Sequence, residues 1–357
     1  MDNGTRYASR EGEGCMDTGR VVLSGDAYES YPREGEQELL LHELAHRSHP
    51  SESFVTNISR SGPDSFLLRA ILPTNHPFFR LDDQGRHDPM LIAETMRQAG
   101  IVVGHVGFDV PLGTQFVMAD MGFQILDPTR LTAAGAPVEI ELAICCTEVV
   151  RKLGELRQTR FQVSISRRTQ PAGPLAGGSG FLRCLPGPMY ERLRSRHART
   201  AGSGIDPEPT RSVLPPALVG RRHPRDVLLA DPRGCLCGPR SAIWSVQVDA
   251  SHPGLFDHPL DHMPGMVQLE ALRQAAVALT HTIGGHGTFA GCEVRFLRMI
   301  DVSDPVSCHA RILDGRTVAV ALVQGDLPPF TEGTIAIDQH PQVISGRGEV
   351  GWTTAQA

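Results

Sequence analysis

Two stretches of the chain, 89–104 and 264–283, are apolar on nearly every side and are interrupted by a Glu, an Arg and a Gln at matching places. A surface helix confines its apolar residues to one stripe, so this pattern predicts two helices buried all round. Asp88 is placed to cap the first, and Pro89 suits its opening position, where a missing N–H costs nothing. The second opens at Pro264-Gly265. Elsewhere the pattern is that of strands. ESFVTNIS and SFLLRAILP flank a turn containing Gly-Pro-Asp and predict a hairpin. β-Branched and aromatic runs follow at 114–126, 137–146, 159–168 and 179–186, and again at 241–249, 291–300, 304–313, 317–326 and 330–337. A long apolar helix followed by antiparallel strands, written twice, predicts an α+β fold in which each half lays its helix across a curved sheet.

The duplication is visible residue by residue. HPFFRLDDQGRHDPMLIAETMRQA (76–99) aligns without a gap on HPGLFDHPLDHMPGMVQLEALRQA (252–275), matching His76 with His252, Glu94 with Glu270, Arg97 with Arg273 and Gln98 with Gln274. Arg lies at i+3 and Gln at i+4 from each Glu, within reach on one helix face. A buried carboxylate without partners costs several kcal/mol, so these neighbours are its expected partners.

Composition narrows the class. At 357 residues, with 40% apolar and 21% charged positions, the chain has the make-up of a soluble protein of about two domains. No apolar run approaches a membrane span and the N-terminal stretch has no signal-peptide core, so a cytoplasmic protein with no membrane association is expected. A net charge of −6 argues against a nucleic-acid partner. Lys152 is the one lysine, which disfavours Schiff-base chemistry. The eight cysteines lack the spacing of a zinc site, and no metal or cofactor is expected. Residues 1–36 and 341–357 read as tails, 37–198 and 236–340 as the two domains, and 199–235, rich in Arg, Pro and Gly, as a linker.

PGMVQLEALRQA (264–275) resembles the central helix of hotdog-fold dehydratases, and the pair HDPMLIAETMRQAG (87–100) and FDHPLDHMPGMVQLEALRQA (256–275) resembles the A-factor biosynthesis family, a tandem of two hotdog domains. The likeness spans about residues 40–340 and implies a double hotdog. It further implies an actinobacterial synthase of a γ-butyrolactone, butenolide or furan signal, which moves a β-ketoacyl group from acyl carrier protein to a hydroxyl of dihydroxyacetone phosphate. The family's acidic helix residues fall on Glu94 and Glu270, and its helix arginine on Arg273. The dehydratases carry a catalytic His fourteen residues before the acid, where this chain has Arg80 and Phe256, so dehydration is disfavoured.

Acyl transfer needs a base for the attacking hydroxyl and donors for the oxyanion. Glu270 is the candidate base or orienting group, Glu94 its counterpart, and Arg273 the candidate clamp for phosphate or β-keto oxygen. Arg97, Gln98 and Gln274 complete the substrate-binding set. A purely structural Glu–Arg pair uses the same atoms and stays open. Gly265 offers its N–H at the second helix start, whereas its gapless counterpart Pro89 has none, so the oxyanion is expected there. His262 is the histidine placed to assist proton transfer, with His258 beside it, while His76 and His252 read as a repeated turn. All these groups are expected to converge on one acyl pocket. Two basic runs, ERLRSRHAR (191–199) and RRHPR (221–225), are candidate docking surfaces for an acidic acyl carrier. A thioesterase, a dehydratase or a non-catalytic acyl-binding protein are the competing readings.

Overall fold

In a computed structural model, helix α1 runs from Pro89 to Val102, and every residue from Met90 onward except Arg97 is buried. The structure describes residues 41–170, 172–201, 212–232, 240–257, 260, 262–285 and 287–339. Asp88 caps α1 by accepting from the Met90 N–H, and Pro89 holds the first position, both as expected. The helix then widens into a π turn over Val103–Gly107. Gly104 and Gly107 lie in that turn, where a Cβ would come within 2.5 Å of the Phe116 and Phe66 rings respectively.

Among the described residues, twelve strands form one antiparallel sheet. In the first half these are β1 (Val55–Gly62), β2 (Ser65–Leu72), β3 (Gln115–Ile125), β4 (Val138–Lys152), β5 (Glu155–Arg167) and β6 (Ala176–Leu185). In the second they are β7 (Leu229–Pro232), β8 (Ser241–Val246), β9 (Gly287–Phe296), β10 (Val306–Ile312), β11 (Thr317–Gln324) and β12 (Thr331–Gln339). Their spatial order is β1-β2-β4-β5-β6-β3-β9-β12-β11-β10-β8-β7. Read outward from the central β3–β9 pair, the two sides have the same topology. β3 and β9 join with Asp120 opposite Arg295 and Gln124 opposite Gly291, making the two hotdogs one continuous sheet.

Alternation along the strands sends one face to the core. In β11 the buried residues are Val318, Val320, Leu322 and Gln324, every second position. The second central helix, referred to below as α3, spans Gly265–Thr282, and all residues from Val267 to Thr280 are buried. No helix among the described residues is long and apolar enough to cross a membrane.

Two elements were not anticipated. The charged run after β6 forms helix α2 (Gly187–Ala201), and residues 229–232, inside the interval read as linker, pair with β8 as β7. Both lack the pattern of an element: α2 is mostly polar and rich in arginine, and β7 is a short strand ending in proline. The interval 212–232 is packed rather than loose, with Val219, Arg221, Asp226 and Val227 buried. The two predicted tails and the cysteines at 15, 235 and 237 lie outside the described residues.

Candidate active site

Each buried glutamate is saturated with donors. Glu270, 0% exposed, accepts from Arg221 through Nε (2.8 Å) and Nη2 (2.6 Å), from Arg273 through Nε (2.8 Å) and Nη2 (2.7 Å), and from Gln274 Nε2 (2.6 Å). Glu94 accepts from Arg47 Nε (3.1 Å), from Arg97 Nε and Nη2 (both 2.9 Å) and from Gln98 Nε2 (2.7 Å). Burial alone would raise the pKa of each acid, but the flanking guanidiniums overcome it and hold both at about 2. A carboxylate that is so weakly basic, with both oxygens occupied, is a poor proton acceptor at neutral pH. The geometry therefore gives these acids an anchoring place and not that of a general base.

The glutamines repeat a second task. Gln98 Oε1 accepts from the Phe54 N–H (2.8 Å) while Nε2 also donates to the Glu52 carbonyl (2.7 Å); Gln274 does the same with Leu228 (2.8 Å) and Asp226 (2.8 Å). Each thus ties the central helix to the chain entering the sheet. The histidines that precede proline are pegs of a repeated turn. His76 Nδ1 accepts from the N–H groups of Phe78 and Phe79, and its Nε2 meets Glu52 at 3.1 Å; His252 accepts from Gly254 and meets Asp226 at 3.0 Å.

Arg47 and Arg221 were missed, yet they carry their own signal. Arg47-Ser-His-Pro-Ser-Glu52 and Arg221-Arg-His-Pro-Arg-Asp226 are a second duplicated motif, each turning through a short 3-10 helix, Pro50–Glu52 and Pro224–Asp226. The position before each arginine is left-handed: His46 has φ 53° and Gly220 has φ 65°. This narrows the docking expectation for 221–225, because its first arginine is buried while Arg222 and Arg225 stay exposed. Arg221 is buried on Glu270 and on Asp88 (2.6 Å), while Arg222 pairs with Asp83 and Arg225 with Asp249.

The two acid–arginine clusters do not converge on one pocket. Each faces its own cavity, and the wall of each is completed by the helix start of the other half. The first cavity, about 280 Å³, brings Arg47, Arg97 and His46 of the first half to Pro264, Gly265 and His262 of the second. The rest of its wall is largely apolar, including Ile101, Phe116, Met121, Leu182, Met266 and Phe296. The second, about 220 Å³, brings Arg221, Arg273 and Gly220 to His87, Asp88 and Pro89.

Their helix starts differ as expected from Gly265 and Pro89. At α1, Asp88 Oδ1 occupies the Met90 N–H (2.9 Å), its Oδ2 holds Arg221, and Pro89 has no N–H. At α3, Pro264 supplies no side-chain cap and no acid stands in the first turn. The Gln268 N–H is already bonded to the Pro264 carbonyl (3.0 Å), so the N–H groups of 265–267 are the open ones. They form the positive end of an 18-residue helix at the edge of an apolar cavity.

Around that end, His262 Nδ1 lies 3.4 Å from the Tyr190 hydroxyl, which burial shifts upward in pKa. Tyr190 and Leu193 bring α2 to the cavity rim. His258 lies outside the described residues. Arg273, with 6% of its side chain exposed, spends its guanidinium on Glu270 and the Val219 carbonyl (2.9 Å) and faces the second cavity. The thiols of Cys146 and Cys184 are pushed up by burial to about 11 and about 12, which removes them as nucleophiles.

Comparison with known proteins matches the same architecture. The family model of the A-factor biosynthesis hotdog domain matches residues 32–182 and 204–328. A 2-oxo-3-(phosphooxy)propyl 3-oxoalkanoate synthase of Streptomyces coelicolor is 33% identical over 79% of this chain and 84% of its own length. Synthases of the same name from Streptomyces virginiae and Streptomyces griseus are 36% identical over 66% of this chain and 34% identical over 68%, in each case covering 76% of the relative.

Proposed function

The chain belongs to the A-factor biosynthesis hotdog family, and from that premise we propose that it transfers a β-ketoacyl group from acyl carrier protein to the free hydroxyl of dihydroxyacetone phosphate. The product is the phosphorylated ester after which the Streptomyces relatives are named, a precursor of γ-butyrolactone or butenolide signals. The observation that carries the reading is the inequality of the two cavities. Only the first combines an apolar wall, an uncapped helix start and cationic side chains among the described residues that line it. The acyl chain fits the apolar wall, with the thioester carbonyl turned to the N–H groups of 265–267, where oxyanion charge develops. Arg47, Arg97, Arg183 and Arg298 line the cavity against Asp257, with Glu94 behind the first two, and this excess of positive charge favours an anionic acceptor on the same side. Glu94 and Glu270 act as orienting anchors: they fix the arginines, and Gln98 and Gln274 fix the helices. His262, beside Tyr190, is placed to contact substrate.

Purified protein, a β-ketoacyl carrier protein and dihydroxyacetone phosphate are expected to yield the phosphorylated ester or its butenolide by mass spectrometry. Free β-keto acid as the sole product would make the protein a thioesterase instead.

Helix α2 is the docking surface for the carrier in this reading. Its exposed Arg192 and Arg194 stand beside the Tyr190 and Leu193 rim of the first cavity, and acyl carrier proteins are acidic. Changing both arginines to glutamate is expected to raise KM for the carrier-bound donor roughly tenfold or more, as like charges meet at the encounter. Transfer from a small thioester mimic should be unchanged. An equal loss with both donors would remove α2 from the docking role.

A further inference from the structure

We propose that Arg298 holds the phosphate of the acceptor and thereby selects a phosphorylated acceptor over its unphosphorylated form; the proposal rests on the acyl-transfer reading above. Strand β9 leaves its pairing with β3 at Arg295, ends at Phe296 and passes along the α3 start. The Phe296 ring is the nearest group to a Cβ at Gly265, at 3.5 Å, and the Ile300 carbonyl accepts from the Met263 N–H (2.8 Å). Arg298 lies between these two contacts, is half-buried and contributes to the wall of the first cavity. The four arginines of that wall are not equivalent. Arg47 and Arg97 give Nε and Nη2 to Glu94. Arg183 and Arg298 have no carboxylate among the described residues, and the guanidinium of each meets only a ring, Phe181 at 5.8 Å and Phe330 at 5.6 Å. A ring offers the N–H groups no oxygen, so those donors remain for an anion or for solvent. Arg183 is exposed on β6 just before α2, on the side of the carrier, which leaves Arg298 as the cation beside the helix start. Asp257, the one acid of the wall among the described residues, accepts from the Ser48 N–H and acts on Arg47.

The duplication gives an independent reason. After β3 the N–H groups of Leu126 and Asp127 share the Leu175 carbonyl (2.9 and 3.2 Å); after β9 those of Leu297 and Arg298 share the Phe330 carbonyl (2.8 and 3.0 Å). The next contact repeats too, since the His87 N–H bonds the Leu131 carbonyl (2.9 Å) as the Met263 N–H bonds that of Ile300. Arg298 therefore stands where the first half has Asp127. That acid is satisfied locally: it caps the turn Pro128–Leu131 by accepting from Thr129, and it pairs with Arg130. Its turn borders the α1 start, which Asp88 and Pro89 close. The fold thus accepts an acid at this place, and the change to an arginine without a carboxylate falls where the helix start is open. A cation beside the positive end of a helix is unfavourable unless an anion joins them.

Dihydroxyacetone phosphate carries its free hydroxyl and its phosphate at opposite ends of a three-carbon unit. A guanidinium meets two phosphate oxygens through parallel N–H bonds, which fixes direction as well as charge. With the phosphate on Arg298, the hydroxyl end is left to reach the thioester carbonyl held at the N–H groups of 265–267. Arg298 touches the acceptor away from the reacting atoms, and no bond forms or breaks there. Its part is acceptor binding and choice.

The test is steady-state transfer from a β-ketoacyl carrier protein to dihydroxyacetone phosphate and, separately, to dihydroxyacetone. Arg298→Gln is expected to lower kcat/KM for the phosphorylated acceptor about 10–100-fold, chiefly through KM, the range for one charge-assisted hydrogen-bonded contact. For dihydroxyacetone kcat/KM should change less than about threefold, as should KM for the carrier-bound donor. Arg298→Lys keeps the charge without the paired geometry and should recover part of the loss. The ratio between the two acceptors does not depend on how much of a variant is folded. A merely structural arginine would therefore slow both acceptors alike, and that result overturns the proposal, as does an Arg298→Gln ratio within about threefold of the unaltered protein's. A loss equal for both acceptors, seen with the carrier-bound donor and absent with a small thioester mimic, would assign Arg298 to the phosphate of the carrier's prosthetic arm and also overturn it. If the unaltered protein forms no ester, the acyl-transfer reading itself falls; ester formed with the acceptor preference intact in Arg298→Gln sinks only the role of Arg298.

Discussion

Glu270→Ala is expected to destabilise the protein by about 3–5 kcal/mol, the range for removing one partner of a buried ion cluster. The alanine leaves Arg221 and Arg273, whose side chains are 5% and 6% exposed, facing each other without their shared carboxylate. It also strips one acceptor from Gln274, which ties α3 to the chain entering β7. The same change at Glu94 should cost less. Its partners Arg47 and Arg97 are 16% and 19% exposed and can turn their guanidiniums toward water in the first cavity. Urea titration of both variants checks the order, and a loss below about 1 kcal/mol at Glu270 would show the cluster to be dispensable. The acid limb of stability follows the same groups. Both carboxyls have folded pKa values near 2, below the ordinary 4.5, so their contribution is complete above about pH 4.5 and disappears as pH falls toward 2. Neither contributes a slope near neutrality.

That cluster also explains how far the sequence could be read. Glu, Arg and Gln at matched helix positions were legible because a gapless offset of 176 aligns them, and a polar trio inside an apolar helix has few structural explanations. The partners Arg47 and Arg221 were not, because they repeat at an offset of 174; the two-residue difference in the intervening chain broke the register that revealed the helices. His46 and Gly220 were hidden for another reason. What they share is a backbone conformation, and two unlike residues in one left-handed position leave no trace in composition or periodicity.

The strands were legible because their faces alternate, and the two central helices because almost every residue in them is buried. α2 and β7 were not, since the first owes its helix to a mostly polar, arginine-rich segment and the second is held by pairing with β8. The division into two cavities was beyond any one-dimensional pattern. It arises because each central helix starts against the opposite half, so that Gly265 belongs with Arg97 and Pro89 with Arg273. A pocket shared across a pseudo-two-fold makes partners of residues that the repeat would place in different sites.

Gly265→Pro is the prediction that weighs most directly on this arrangement. The substitution suits the first position of a helix, where proline needs no N–H and its φ is helical, so α3 and the sheet beneath it should form normally. A side chain at 265 has room: a Cβ there would meet the Phe296 ring at 3.5 Å, an ordinary contact. What is lost is one of the open N–H groups at the end of the first cavity, and removal of one oxyanion donor typically costs about 10²–10³ in kcat. Gly265→Ala keeps the N–H and adds only the methyl, so it should retain kcat within about threefold while sharing any steric effect. The pair therefore separates the donor from the space it borders. A proline variant with unchanged kcat would remove the helix start from catalysis; an alanine variant as slow as the proline one would make Gly265 a matter of room for the acyl group and not of charge.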